Sequence, residues 1–423
     1  MARWLYSALL YLLLPPAFVR LWLRGRRNPA YRARWGERLG LVPPLPQAPR
    51  IWLHAVSVGE TIAAAPLLRA LQARLPAHDW LVTTTTPTGS AQVRRLFGDE
   101  VAHHYLPWDL PQAVAHFLDR TRPDLLLVME TEIWPNLFAA CRKRGIPVCI
   151  VNARLSERSL RGYRRIRPLL SGALSAVRVL AQAEADAERF RELGAREVRV
   201  TGNLKFDLEI PASATATGEA LRLALGHRPV WVAGSTHEGE DALVLAAHRR
   251  LLKQAPDALL ILVPRHPERF DAVAELIGQD GFSFRRRSSG ALPGAADSVY
   301  LGDTLGELLA FYAAADIAFV GGSLVPHGGH NPLEPAALGV PVITGPHWHN
   351  FAAIYPELIA AGAAREVPDA ARLAEVLTGW LADPLSRDAA GEAGRRVVAD
   401  NRGALQRTLE ALPLPTVSER GSQ

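Results

Sequence analysis

Carboxylates close apolar runs at several points of the 423-residue chain. In "IWLHAVSVGET", Glu60 stands three residues after Ser57, at a turn between an apolar run and a helical stretch. Ser-x-x-Glu is the pattern of a capping box, in which serine and glutamate satisfy the free N–H groups of a helix start. A glutamate at a strand end is equally well placed to take a proton, and both readings stand at this point. In "LLLVMETEIWPN", Glu130 and Glu132 follow five apolar residues. A carboxylate there is costly unless it is paired or used, although a helix start at Pro135 leaves a structural role open. "VTGNLKFD" puts Lys205 after another apolar run, and the chain has only three lysines. A compact ammonium is wanted at that place, where arginine supplies the other positive charges.

The densest stretch is "VGGSLVPHGGHNPLEPAALGVPVITGPHWHN". Its glycines Gly321, Gly322, Gly328 and Gly329 let backbone approach a ligand closely. Asn331 is a natural N-cap, Pro332 suits the first helical position, and Glu334 either completes the cap or accepts the hydroxyls of a ribose. Free N–H groups at such a start hold phosphate. His327, His330, His347 and His349 tempt a metal reading but are expected as solvent-facing loop residues. "LLILVPRHPERF" sets Arg265 and His266 past a buried run, where an arginine can grip a phosphate two-pronged or simply face solvent. "GSTHEGE" is expected to hold a cap made by Ser235 and Glu238. "ARLSERSLRGYRRIRP" carries six arginines, including Arg158, Arg161 and Arg164, which make either a solvated helix face or a site for a phosphorylated, membrane-surface partner. No P-loop, G-x-G-x-x-G, H-E-x-x-H, D-x-D or G-x-S-x-G pattern occurs. Group transfer without a metal or cofactor suits what remains.

These residues need strands and helices to place them. Strands are expected at 51–56, 80–84, 125–129, 148–151, 177–181 and 198–201, and again at 230–234, 259–264, 299–302, 317–321 and 340–343, with helical stretches between them. That alternation means parallel βαβ units. Residues 207–228 carry no strand signal and are expected as a linker between two Rossmann-like domains, 48–206 and 229–400, with a helix end and tail at 401–423. Two such domains in tandem form a cleft, and ligands bind beyond the carboxyl ends of the strands.

The N-terminal "WLYSALLYLLLPPAFV" is nearly uncharged, and seven arginines follow between Arg20 and Arg38. A secretory signal has its positive charge before the apolar stretch rather than after it. Residues 1–38 therefore read as a membrane anchor with a basic juxtamembrane segment and the rest of the chain in the cytoplasm. Pro15-Pro16 interrupt the stretch, so a span and an interfacial helix both fit. A net charge of +6 admits membrane phosphates, a nucleotide or nucleic acid as partner. Nucleic acid is disfavoured, because the basic clusters lack interleaved aromatics. Two cysteines, Cys141 and Cys149, are too few for a disulfide framework and fit a reducing setting.

Taken together and in order, "HAVSVGE", "TTTTPTGS", "YLPWD", "METEIWPN", "VNARLSERS", "TGNLKFD", "GSTHEGE", "PRHPERF" and "GGHNPLEP" resemble 3-deoxy-D-manno-octulosonic acid (Kdo) transferases, the inner-membrane glycosyltransferases of lipid A assembly. The resemblance runs from the anchor to about residue 400. It implies an α/β GT-B fold with an acceptor domain followed by a sugar-nucleotide domain. It further implies CMP-Kdo as donor, a phosphorylated lipid A precursor as acceptor, and no cofactor. On the matching motifs Glu60 is the proton acceptor, with Glu130 and Lys205 as transition-state stabilisers. CMP would meet Arg265 and His266, then Gly306, Glu307 and Leu308 of "TLGEL", then Asn331, Pro332, Leu333 and Glu334. Apart from the resemblance, "TLGEL" reads only as a helix start. A helix N-terminus lowers the basicity of Glu60, so partial desolvation must restore it. The nearest rival is a GT-B enzyme using a UDP-sugar on a membrane glycolipid. A non-catalytic membrane-anchored binding protein is a rival of another class, which would have no use for carboxylates at strand ends. Oligomeric state and the number of sugars transferred are not set by these residues.

Overall fold

The computed structural model describes residues 2–26 and 28–414. Met1, Arg27 and residues 415–423 of the expected tail lie outside the described residues. The chain divides into two compact units. One comprises the residues up to Asp207 together with those from Arg402 onward, and the other runs from Leu208 to Asn401.

Among the described residues each unit holds one seven-stranded sheet, parallel throughout. In the first, β1 (Arg50–His54), β2 (Asp79–Thr84), β3 (Ala102–Tyr105), β4 (Leu125–Met129), β5 (Val148–Ala153), β6 (Val177–Ala181) and β7 (Glu197–Val200) lie in the order β3-β2-β1-β4-β5-β6-β7. In the second, β8 (Val230–Thr236), β9 (Leu259–Pro264), β10 (Phe284–Arg286), β11 (Val299–Leu301), β12 (Ile317–Val320), β13 (Val342–Thr344) and β14 (Ala364–Glu366) lie in the order β10-β11-β9-β8-β12-β13-β14. Helices cover both faces, so the interior strands are apolar on both sides. Trp52, Leu126, Val128, Ile150 and Val179 point to one core of the first sheet, while Ile51, Leu53, Leu127, Met129 and Val151 point to the other. Cys141 and Cys149 are buried free thiols in these layers.

The order of strands reverses beside β1 in the first sheet, between β1 and β4, and beside β8 in the second, between β8 and β12. Loops leaving the two strands at such a switch point diverge to opposite faces of the sheet and open a crevice at the carboxyl ends. Glu60 and Glu130 follow β1 and β4. His237 and the glycine-rich loop follow β8 and β12.

Two expectations about organisation need correction. Residues 207–228 are not an extended linker: Ala212–Leu225 is a helix packed on the helix Leu308–Ala313 within the second unit. Its small residues, taken as linker composition, permit close approach. A Cβ on Gly218 would stand 2.4 Å from the Ala313 Cβ and 2.7 Å from the Ala310 carbonyl oxygen. The chain after residue 401 does not finish the second domain. Helix Ala404–Ala411 returns to the first, where Ala404, Leu409, Ala411 and Leu412 join its core. Asp207 accepts the N–H groups of Gly403 and Leu405, and Arg407 donates to the Thr201 carbonyl at 3.0 Å.

The Gly218 contact yields a test. Gly218→Val should lower the stability of the second unit by about 1–3 kcal/mol through overpacking, seen as an earlier chemical-denaturation transition. An unchanged midpoint would mean that the two helices part freely.

Candidate active site

Ser57 caps the helix Val58–Arg74, its Oγ accepting the Glu60 N–H at 3.4 Å. The Glu60 carboxylate turns back to accept the Val56 N–H at 2.8 Å and the Ser57 hydroxyl at 3.2 Å. Serine and glutamate do cap the helix together, although the glutamate takes the N–H of Val56 rather than that of Ser57. That cap does not exhaust the residue. Burial pushes the Glu60 pKa up to about 7, and the charges of Glu130 and Glu132 push in the same direction, against the pull of the Val56 N–H. Desolvation thus outweighs the helix start, and the carboxyl is poised to exchange a proton near neutrality.

Glu130 ends β4 in the left-handed region, at φ 57°, a conformation that costs a non-glycine residue energy and persists only where its surroundings enforce it. Its N–H donates to the Val151 carbonyl at 3.0 Å and its carboxylate meets Lys205 Nζ at 3.4 Å. Lys205 is held by two asparagines. Asn203 accepts the Lys205 N–H at 3.1 Å. Asn152, wholly buried at the end of β5 with φ 53°, accepts the Leu204 N–H at 3.0 Å. Burial and Glu130 also raise the pKa of Glu132. The first switch point thus gathers Glu60, Glu130, Glu132 and Lys205. Asn152 was missed, although "VNAR" does place an asparagine at a strand end.

The arginine-rich helix Glu157–Arg164 follows β5, capped by Ser156. Arg158 and Arg161 are exposed, whereas Arg164 is paired with Glu192 at 2.5 Å and is less available than its spacing suggested.

In the second unit the organising residue is Glu240, which sequence reading passed over. It is fully buried and accepts four N–H groups: Gly322 at 2.6 Å, Leu324 at 2.9 Å, Ser323 at 3.0 Å and His237 at 3.2 Å. The cap expected from Ser235 and Glu238 is not formed. Ser235 lies within β8, at φ 58°, and the helix begins at Glu240 after Gly239. A Cβ on Gly321 would stand 2.6 Å from the Ser235 carbonyl oxygen and 2.9 Å from the Glu240 carboxylate, so only glycine lets the loop close on this acid.

Against that loop His237 and His330 lie with parallel rings, their Nε2 atoms 2.8 Å apart, and His327 stacks on His237 at 4.1 Å. Burial first, then the neighbouring histidines and arginines, lower His237 to about 4 and His330 to about 3. Both are neutral near pH 7. His330 is therefore not the solvent-facing loop residue expected; its ring fills the switch point. His266 meets His237 edge-on at 5.4 Å. Arg265 is exposed beyond β9, near enough to His330 and Glu334 to influence both. Among the described residues no group of three or more His, Cys, Asp or Glu side chains is arranged to hold a metal ion.

Asn331 accepts the Leu333 N–H at 3.1 Å and donates to Glu334 at 3.2 Å, while burial raises the Glu334 pKa. The helix here, Leu333–Ala337, starts one residue later than expected, with Pro332 as its cap, and has only five residues. Gly306, Glu307 and Leu308 follow β11. The Glu307 carboxylate is taken by Arg287 at 2.7 Å and by Thr304. What this turn offers a ligand is therefore backbone and the φ of 83° at Gly306.

The description "3-Deoxy-D-manno-octulosonic-acid transferase (kdotransferase)" matches residues 33–208, and "Glycosyl transferases group 1" matches residues 228–397. A 3-deoxy-D-manno-octulosonic acid transferase of Haemophilus influenzae is 45% identical over 97% of this chain and 98% of its own length. The chain belongs to the Kdo transferase family. It is accordingly an enzyme, a glycosyltransferase. A Kdo transferase of Bordetella pertussis is 44% identical over 97% of this chain and 99% of its own. A UDP-GlcNAc 2-epimerase from Neisseria meningitidis, solved with UDP-GlcNAc, is similar in fold: 18% identity, TM-score 0.55, covering 85% of this chain and 98% of that one. The two Rossmann-like domains are those of the GT-B architecture anticipated for Kdo transferases.

The raised Glu60 pKa has a thermodynamic consequence. Between the usual carboxyl value of about 4.3 and about 7, the folded chain keeps a proton that the unfolded chain releases. This group's contribution to stability therefore falls as pH rises through that window. Glutamine keeps the cap without the charge. Glu60→Gln should then melt higher than wild type above neutrality and lose that advantage in acid below both values. Thermal denaturation at the two pH values checks it, and an equal difference at both would reject the pKa shift.

Proposed function

We propose that the enzyme transfers Kdo from CMP-Kdo to a phosphorylated lipid A precursor at the cytoplasmic face of the inner membrane, with Glu60 as general base and no metal ion. The observation that carries this is Glu60, half-buried at the β1–β4 switch point with a pKa near 7, beside the Glu130–Lys205 pair. A hydroxyl oxygen of the acceptor attacks the anomeric carbon of Kdo as that carbon's bond to the CMP phosphate oxygen breaks. The hydroxyl proton passes to Glu60, and the bonding pair leaves with CMP.

Negative charge grows on the departing phosphate and is met by groups the chain itself owns. Arg265 and the backbone N–H groups of the Asn331–Glu334 turn are assigned to CMP, with His266 and the Gly306–Leu308 backbone around the rest of the nucleotide. The ribose hydroxyls are assigned to Glu334. Lys205, oriented by Glu130, Asn203 and Asn152, neutralises charge on the sugar carboxylate as transfer proceeds. The acceptor phosphates are assigned to the arginine helix, through Arg158 and Arg161 before Arg164, since Arg164 already has Glu192.

Glu60→Gln should lose about 10²–10⁴-fold in kcat while its circular dichroism and CMP affinity stay those of wild type. In the wild type kcat/KM should climb with pH in proportion to the ionised fraction and level off above about 7. Full activity in the glutamine variant would leave Glu60 as a cap and transfer the role to Glu130.

Replacing Arg158 and Arg161 together by alanine should raise the KM for the lipid acceptor and leave that for CMP-Kdo unchanged. An unaltered acceptor KM removes this helix from the site.

A further inference from the structure

No single helix among the described residues is long and apolar enough to cross a membrane; Ala2–Leu12 and Leu14–Arg24 pass that test only as a pair, bent by 46°. One face of the pair is docked on the first domain. Ser7 is buried and its Oγ accepts from Asn136 Nδ2 at 3.0 Å. Tyr6 hydrogen-bonds Asp109. Asp109 is no peripheral acid: its carboxylate accepts the N–H groups of Asn136 at 2.9 Å and Leu137 at 2.7 Å, and so caps the helix Pro135–Lys143. At the other end Phe18 packs against Trp35 and Trp108, with ring centroids 5.1 and 4.7 Å away. The pair is thus docked near both of its ends.

The opposite face inverts the usual pattern of a surface helix, which turns charge outward. Trp4 is 79% exposed and Leu12 74%, and Leu5, Leu9, Val19 and Trp22 are exposed beside them. Arginines rim this face. The guanidinium groups of Arg26 and Arg32 lie 4.9 and 5.0 Å from the Trp22 ring centroid, and that of Arg24 lies 5.7 Å from that of Tyr31. Apolar bulk edged by tryptophan and arginine is complementary to acyl chains beneath anionic headgroups. A second protein would need no such basic rim.

We propose that residues 2–24 lie in the plane of an anionic bilayer as a fixed part of the first domain, with both ends on the cytoplasmic side, and do not span it. A spanning orientation would set hydrocarbon all round the helices. It would either pull Asp109 and Asn136 into lipid or break their contacts with Tyr6 and Ser7, and unpaired polar groups do not persist there. This inference deepens the reading of a membrane acceptor and rests on it for the choice of a lipid surface as the covering partner.

The test uses the full chain with a protease-cleavable tag before residue 2, bound to vesicles of phosphatidylglycerol and phosphatidylethanolamine with its domains outside. The expected result is binding that weakens when phosphatidylcholine replaces the anionic lipid, with the tag cut by an impermeant protease without detergent. Trp4→Glu with Leu9→Glu alters exposed side chains only. That variant should lower vesicle partitioning by roughly tenfold or more, while keeping its circular dichroism and its transfer to a detergent-dispersed acceptor. A tag protected until detergent is added would establish a span and overturn the proposal, and so would undiminished binding by the double variant. Vesicle binding needs neither donor nor acceptor, so loss of transfer with binding and cleavage intact would count against the proposed reaction alone.

Discussion

The site in each unit depends on one constraint: a chain leaving the middle of a parallel sheet carries N–H groups that no neighbouring strand can take. Both units answer with a glutamate shortly after the first strand at the switch point. Glu240 is sealed from solvent and accepts four N–H groups, so it fixes the glycine-rich loop and, through it, the stacked histidines. Glu60 accepts one N–H and one hydroxyl, stays partly open and has two other carboxylates as neighbours. The same device leaves the acid saturated with donors in one unit and only partly satisfied in the other.

Strain and orientation in the first unit serve that difference. Glu130 and Asn152 both occupy the left-handed region, and both end interior strands. The first delivers a carboxylate to Lys205, and the second ties down the residue before it. These two positions thereby hold an ammonium that sits on a long, flexible stem, one at its tip and one at its backbone. Raising the pKa of Glu60 carries a matching cost in stability at neutral pH.

Much of this was legible in the chain itself. The interior strands declare themselves as apolar runs because both faces are buried. The strands that went unread, Ala102–Tyr105, Phe284–Arg286 and Ala364–Glu366, all lie at sheet edges, where histidine and arginine are tolerated and the pattern fades. Glu60, Glu130 and Lys205 were legible because each follows an apolar run. Glu240 was not, since six polar or glycine residues separate it from the apolar run that ends at Ala233, and three of its donors come from a loop some eighty positions later in the chain. His330 looked like a loop residue because its covering partner, His237, is equally distant in sequence.

The chain passes out of the first domain at Asp207 and returns at Arg402, and Asp207 itself grips the returning segment at Gly403 and Leu405. In genetic terms the second domain is an insertion, spliced into a surface point of the first with its two ends side by side. A gene cut at codon 208 would leave the upstream fragment without the helix that covers its core. Excising residues 208–401 and rejoining the ends asks the linker to bridge only a hydrogen-bonded turn. The second domain is thus carried as a cassette between neighbouring points of the first, and the junction that holds those points together is one carboxylate.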